Sequence, residues 1–281
     1  MTIKTGFADI NGAKLYYKLA GEGQPFVMIH AGISDHRMWN NEFDTYSDRY
    51  QVLSFDMRGF GKSEPVDGEF NIQDDFESLL DALGINTPMI LMGCSIGAGL
   101  ALDFTLTHLD RVEALILIGG APSGLELEDL GLKVEEPVDL FEQAEKALEA
   151  NDLDLATELD MQIWFDGMGR TKDDVNAEIR QLAYDINRTV LEHDVKNLGK
   201  HVRKQFDKSA VERFDELILP ILIIVGENDI PLMLAAANYF EEHLPNTTKV
   251  IIPNAAHLPN MEHPELFQEI IDTFLSSKVI K

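Results

Sequence analysis

The chain holds a serine, a histidine and an aspartate whose settings suit proton transfer. In GCSIG, Gly93 to Gly97, a serine stands between two glycines where the apolar run PMILMG gives way to a helical pattern. This is the G-x-S-x-G spacing, in which a tight strand-to-helix turn holds the serine in a strained backbone with its hydroxyl exposed. The glycines on either side let strand and helix pass closely. A serine hydroxyl at its ordinary acidity is a poor nucleophile, so a base must stand within hydrogen-bond reach, oriented in turn by an acid. His257, in PNAAHLPNMEHP just after the last expected strand, suits the base, and Asp229, in IIVGENDIP, suits the acid. The neighbouring Glu227 reads as a turn residue and His263 as a solvated residue at a helix start.

An acyl intermediate also needs donors for its oxyanion. The N–H of Ile96, directly after the serine, is one candidate. The second is expected from Gly32 in VMIHAGISDHRMW, with Ala31 and Ile33 one register away. His30 reads as a buried packing residue. Cys94, one step before Ser95 on a buried strand, should point into packing and not act as a thiol nucleophile.

These residues need a scaffold. FADINGAKLYYKLAGEG has two alternating segments around Asn11-Gly12, the signature of a type I′ hairpin. Six short β-rich runs follow: PFVMIH, QVLSFD, PMILMG, VEALILIGG, LPILIIVG and TTKVIIP. Several are apolar on both faces, as parallel strands covered by helices must be. Helical patterns separate most of them, including Ile72 to Leu83, Ile96 to His108, Leu232 to His243 and Pro264 to Leu275. The alternation predicts an α/β fold with a mostly parallel, eight-stranded sheet, an antiparallel N-terminal hairpin and helices on both faces. From Ser123 to Phe214 only acidic helical pattern is found. That stretch is expected to be a helical insertion between the fifth and sixth parallel strands, giving a core of residues 1–122 and 215–281 and an insertion of 123–214.

The 281 residues carry 49 acidic and 23 basic side chains, a formal charge of −26, which would repel nucleic acid or an anionic membrane. The single cysteine forbids an internal disulfide. MTIKTGFADING lacks the apolar core of a signal peptide, so a cytoplasmic protein is expected. RGFGKS ends like a P-loop, but Asp56 stands where the first glycine is needed. No histidine pair has zinc-helix spacing and no loop follows the EF-hand pattern, so neither metal nor cofactor is expected.

The runs PFVMIHAG, DMRGFGKS, GCSIGAGLAL, LILIGGAP, IIVGENDIP and NAAHLPNMEHPELF resemble, in order and spacing, the α/β-hydrolase superfamily, within its group of small cytoplasmic esterase-like enzymes. The resemblance covers nearly the whole chain. It implies Ser95 as nucleophile, Asp229 as acid and His257 as base, and it makes the insertion a helical cap over the active site. It departs from the family at His30-Ala31-Gly32, where His-Gly is usual. The H-G-G-G stretch of many lipases is absent, as is the H-G-G-P-G of proline iminopeptidases. Ser95 stands where dehalogenases and epoxide hydrolases have aspartate, and the asparagine-rich loop of carbon–carbon hydrolases is not found, although Asn40 and Asn41 lie nearby.

The expected function is hydrolysis of a small carboxylic ester, thioester or lactone through an acyl-serine, with a small-molecule acyl substrate as partner. The rivals are a ligand sensor on the same fold, and a perhydrolase, haloperoxidase or carbon–carbon hydrolase using the same triad. In the cap, Met161, Trp164 and Phe165 offer large apolar surface for the substrate.

Overall fold

The computed structural model describes residues 2–125, 137–196, 199–202 and 207–278; residues 126–136, 197–198 and 203–206 of the expected insertion lie outside them. The chain opens with β1 (Lys4–Ile10) and β2 (Ala13–Ala20), paired antiparallel. Asn11 and Gly12 both have positive φ, 45° and 82°, the condition a type I′ turn imposes. There follow β3 (Pro25–Ile29), α1 (Asn40–Tyr46), β4 (Gln51–Phe55), β5 (Gly68–Phe70), α2 (Ile72–Ala82), β6 (Met89–Cys94), α3 (Ile96–Thr107) and β7 (Val112–Ile118). Helices α4 (Val138–Glu149), α5 (Leu153–Met161) and α6 (Ala177–Lys196) precede β8 (Gly199–His201). The chain closes with β9 (Ile221–Gly226), α7 (Pro231–His243), β10 (Thr247–Ile252), the single turn α8 (Pro259–Glu262) and α9 (Pro264–Lys278).

The main sheet has eight strands in the order β1-β2-β4-β3-β6-β7-β9-β10, parallel from β4 onward, with the hairpin joined antiparallel through β2 and β4. The central strands β3, β6 and β9 are buried along their whole length. Their side chains alternate between two cores. Val27, Ile29, Met89 and Leu91 pack on one face, while Phe26, Met28, Ile90, Met92 and Cys94 pack on the other. Continuous apolar runs in the sequence are therefore strands with helices on both sides.

The structure differs from the sequence expectation in three places. Helices α4 to α6 fall between β7 and β9, the fourth and fifth parallel strands and not the fifth and sixth, since VEALILIGG is the fourth of the six parallel runs in chain order. A second sheet, β5 with β8, pairs Gly68–Phe70 with Gly199–His201; three-residue strands are too short to leave an alternating pattern. A π-helical turn spans Gln162–Asp166 and directly continues α5. Among the described residues, no helix is long and apolar enough to cross a membrane.

Candidate active site

Ser95 links β6 to α3 with φ 56° and ψ −117°, a backbone that an L-residue adopts only where its surroundings impose it. Here they do. A Cβ on Gly93 would run into the Gly97 carbonyl, and one on Gly97 would lie 2.6 Å from the His30 oxygen, so both flanking positions must be glycine. The Ser95 N–H donates to Ile118 O at 2.8 Å, and its carbonyl accepts from Ala98 N and Gly99 N at 2.9 and 3.1 Å. The backbone is thus clamped on both sides. The side chain opens on a cavity of about 450 Å³, whose lining includes Ile96, Leu100, Gly119, Gly120 and Met233.

Asp229 and His257 meet as the sequence suggested. His257 Nδ1 lies 3.0 and 2.9 Å from the two Asp229 carboxylate oxygens, and both side chains are 1% exposed. Ile230 N–H donates to Asp229 Oδ1 at 2.8 Å, fixing the carboxylate. A proton on Nδ1, donated to this carboxylate, leaves Nε2 with its lone pair free to act as a base. Glu227, by contrast, is exposed and holds Asn254 N–H. Gly119, with φ 50°, lies at the carboxyl end of β7, where a Cβ would stand 3.0 Å from His257 Nδ1. Sequence reasoning passed over this glycine, although its place directly after a buried strand was a signal.

Ser95 and His257 therefore flank the same end of β7, one bonded to Ile118 and the other against Gly119. Among the described residues, no hydrogen bond joins Ser95 Oγ to His257. The structure joins Asp229 to His257 and leaves the Ser95 hydroxyl apart from the imidazole; in unliganded sites of this kind such a link commonly tightens only when substrate binds.

Gly32, one of the expected oxyanion donors, packs against the side chain of Ile96, the other. A Cβ on Gly32 would lie 3.5 Å from the Ile96 side chain, and among the described residues neither Gly32 N–H nor Ile96 N–H has a protein acceptor. Ala31 differs, since its N–H is directed to Met38 Sδ at 3.4 Å. His30 supports this loop from below. Its Nδ1 donates to Ala31 O at 2.8 Å and its Nε2 accepts from Met57 N–H at 3.0 Å, which fixes a neutral tautomer. Burial lowers its pKa and reinforces that state.

Asp35, His36 and Asp56 gather three groups of metal-ligating type within 4.8 Å. Their donors are consumed within the chain. Asp35 takes Arg37 through Nε and Nη2, while Asp56 accepts His36 Nδ1 and N–H on one oxygen and Lys62 N–H on the other. The trio braces the loop after β3 and explains RGFGKS, whose turn wraps this chain's own carboxylate. Cys94 is fully buried, its Sγ 3.6 Å from His257 O, and burial pushes its thiol well above the usual range. It is held in packing and away from substrate.

Of the three apolar residues expected to meet substrate, the structure brings only Trp164 to the site, and half-buried. Its ring lies 4.6 Å from the His257 ring. Met161 and Phe165 lie elsewhere than the sequence reading placed them, inside the packed core. Both are completely buried in the core cluster that includes Ala183, Ile186 and Ile224. Met161 ends α5 and Phe165 lies one π-turn beyond it, and both side chains face inward while Trp164 faces out.

A model of the alpha/beta hydrolase fold family matches residues 24–264. The chain belongs to that family, and it is a hydrolase. It is 24% identical over 279 residues to a 2-hydroxy-6-oxo-6-(2'-aminophenyl)hexa-2,4-dienoic acid hydrolase of Metapseudomonas resinovorans, covering 97% of this chain and 91% of that one. It is 25% identical over 265 residues to a pimeloyl-[acyl-carrier protein] methyl ester esterase of Aliivibrio fischeri, covering 93% and 97%. The solved structure of a Rhodococcus esterase superposes with a TM-score of 0.78 at 20% identity, covering 99% and 100%, a likeness of fold.

Proposed function

We propose that the protein hydrolyses small carboxylic esters, thioesters or lactones through an acyl-Ser95 intermediate. The observation that carries this reading is the buried Asp229–His257 pair beside the strained, glycine-flanked Ser95. His257 Nε2 removes the Ser95 Oγ proton as the oxygen adds to the substrate carbonyl, and the Gly32 and Ile96 N–H groups receive the oxyanion. Asp229 steadies the imidazolium. The tetrahedral adduct collapses, the C–O or C–S bond breaks, and the imidazolium gives its proton to the leaving group. Water then adds to the acyl-enzyme with the same base, releasing the acid and restoring Ser95. The chemistry so written needs no metal or cofactor.

Residues 123–214 act in this reading as a cap, since Trp164 reaches His257 from that segment. The Aliivibrio relative, named for a methyl ester esterase, supports ester chemistry. The charge of −26 weighs against nucleic acid or an anionic membrane as partner, and the reading takes the partner to be a small acyl molecule in a cytoplasmic setting. The test is turnover of a p-nitrophenyl ester by wild type and Ser95→Ala. Loss of at least about a thousandfold in kcat supports the assignment; a variant that keeps most activity overturns it.

A further inference from the structure

The segment WFDGMGR, Trp164 to Arg170, is fastened to both loops that carry the acid–base pair. On the acid side, Met168 N–H donates to Asn228 O at 2.7 Å and Asn228 Nδ2 returns a bond to Met168 O at 2.8 Å. Gly167, with φ 75°, packs so closely there that a Cβ would strike Asn228 O and Ala256. On the histidine side, His257 N–H donates to Trp164 O at 3.1 Å.

Arg170 ties these contacts together. Its Nε donates to Asp166 O at 2.6 Å and its Nη2 to Phe165 O at 2.9 Å, binding the end of the π-turn. Its Nη1 reaches across the fold to Asn254 O and, at 2.8 Å, to Glu262 Oε2. Glu262 in turn accepts Ala256 N–H on Oε1 at 2.6 Å, one residue before His257. Both charged side chains are nearly enclosed, 9% and 6% exposed. A planar guanidinium with five donors suits such a convergence of carbonyls and carboxylate, and a lysine would not.

We propose that the Arg170–Glu262 pair is a positioning clasp for His257, joining the π-turn that carries Trp164 to the loop that carries the histidine. It rests on His257 being the base. It also makes this end of the insertion a fixed wall of the site. Any opening of the cap must then occur elsewhere in the insertion, because swinging the π-turn away would leave a buried ion pair parted and the His257 loop without its main-chain anchor.

The test uses the full chain with Arg170→Lys, Arg170→Gln and the double variant Arg170→Gln/Glu262→Gln. Thermal melting, kcat, KM and the acid limb of the rate–pH profile are read for each. A base displaced by about 1 Å costs up to about a hundredfold in rate. Arg170→Gln is expected to lose about that in kcat with KM changed less than about threefold, and to displace the acid limb. Arg170→Lys, which keeps the charge without the fork, should recover only part. The double variant leaves no unpaired buried charge, so its melting temperature should recover toward wild type while kcat stays low. A folded double variant with wild-type kcat and an unchanged acid limb overturns the clasp. Failure of the underlying reading has a different signature: His257→Gln would keep activity whatever Arg170 does.

Discussion

The carbonyl of Trp164 accepts the N–H of His257 at 3.1 Å, and the indole lies against the imidazole with ring centres 4.6 Å apart, inclined at 46°. One residue of the insertion thus holds the histidine through its backbone and covers it with its side chain. The two contributions can be separated, because only the second is removed by substitution.

Trp164→Ala keeps the main-chain bond and strips the ring face. It is expected to lower kcat/KM by about tenfold, in the range of about 1–2 kcal/mol for losing an aromatic contact, and to alter preference across a series of acyl-chain lengths. An unchanged substrate profile would show that the ring does not meet substrate.

Phe165→Ala should behave in the opposite way. The side chain is fully buried, so its removal leaves a cavity and costs about 3–5 kcal/mol of stability. Melting and denaturant titration should show a larger loss than for Trp164→Ala, while the chain-length profile of the remaining folded enzyme stays as in wild type. A normal melting temperature with a changed profile would return Phe165 to the substrate side.

Gly97→Ala places a methyl 2.5 Å from Ile29 O and 2.6 Å from His30 O, both main-chain atoms that cannot swing aside. Strand β3 and helix α3 must separate, which costs about 1–3 kcal/mol or more and displaces Ser95. The expected result is a lower melting temperature together with loss of ester turnover. Gly99→Ala is the control, since the nearest atom its Cβ would meet is 4.0 Å away, and it should be far milder on both counts.

Glu42 gives a pH prediction away from the site. The residue is 3% exposed, and its carboxyl is met by its own main-chain N–H and, at 3.5 Å, by Asn260 Nδ2. Burial pushes its pKa up to about 8 from the ordinary 4.5. Between those values the folded chain keeps a proton that the unfolded chain has released. The contribution of Glu42 to stability is therefore whole below about pH 4.5 and is lost as pH rises through about 8. Glu42→Gln cannot ionise, so its melting temperature relative to wild type should rise from pH 5 to about pH 8 and level off above it. A difference that does not change with pH would contradict this.

Much of the fold, and the contact between Asp229 and His257, could be read directly from the sequence. The doubly apolar strands, Asn11-Gly12, and the glycines around Ser95 each obey a local rule of pattern or backbone geometry. Asp229 and His257 followed from their places after strands. What could not be read depends on packing between distant segments. Phe165 and Trp164 are adjacent large aromatics, and only the π-turn decides which one is buried. Arg170 lies in no motif, and the runs that hold Gly119 and Glu262 do not single them out; their roles arise because residues remote in the chain meet around one loop. The pairing of β5 with β8 was invisible because its strands are only three residues long.

The central claim is that Ser95 is the nucleophile and that His257 activates it. Labelling with a fluorophosphonate, followed by peptide mapping, tests both parts in one measurement. The account predicts a single adduct on Ser95, absent from Ser95→Ala and formed far more slowly in His257→Gln. An adduct on another residue, or labelling of Ser95 at the wild-type rate without His257, would contradict it.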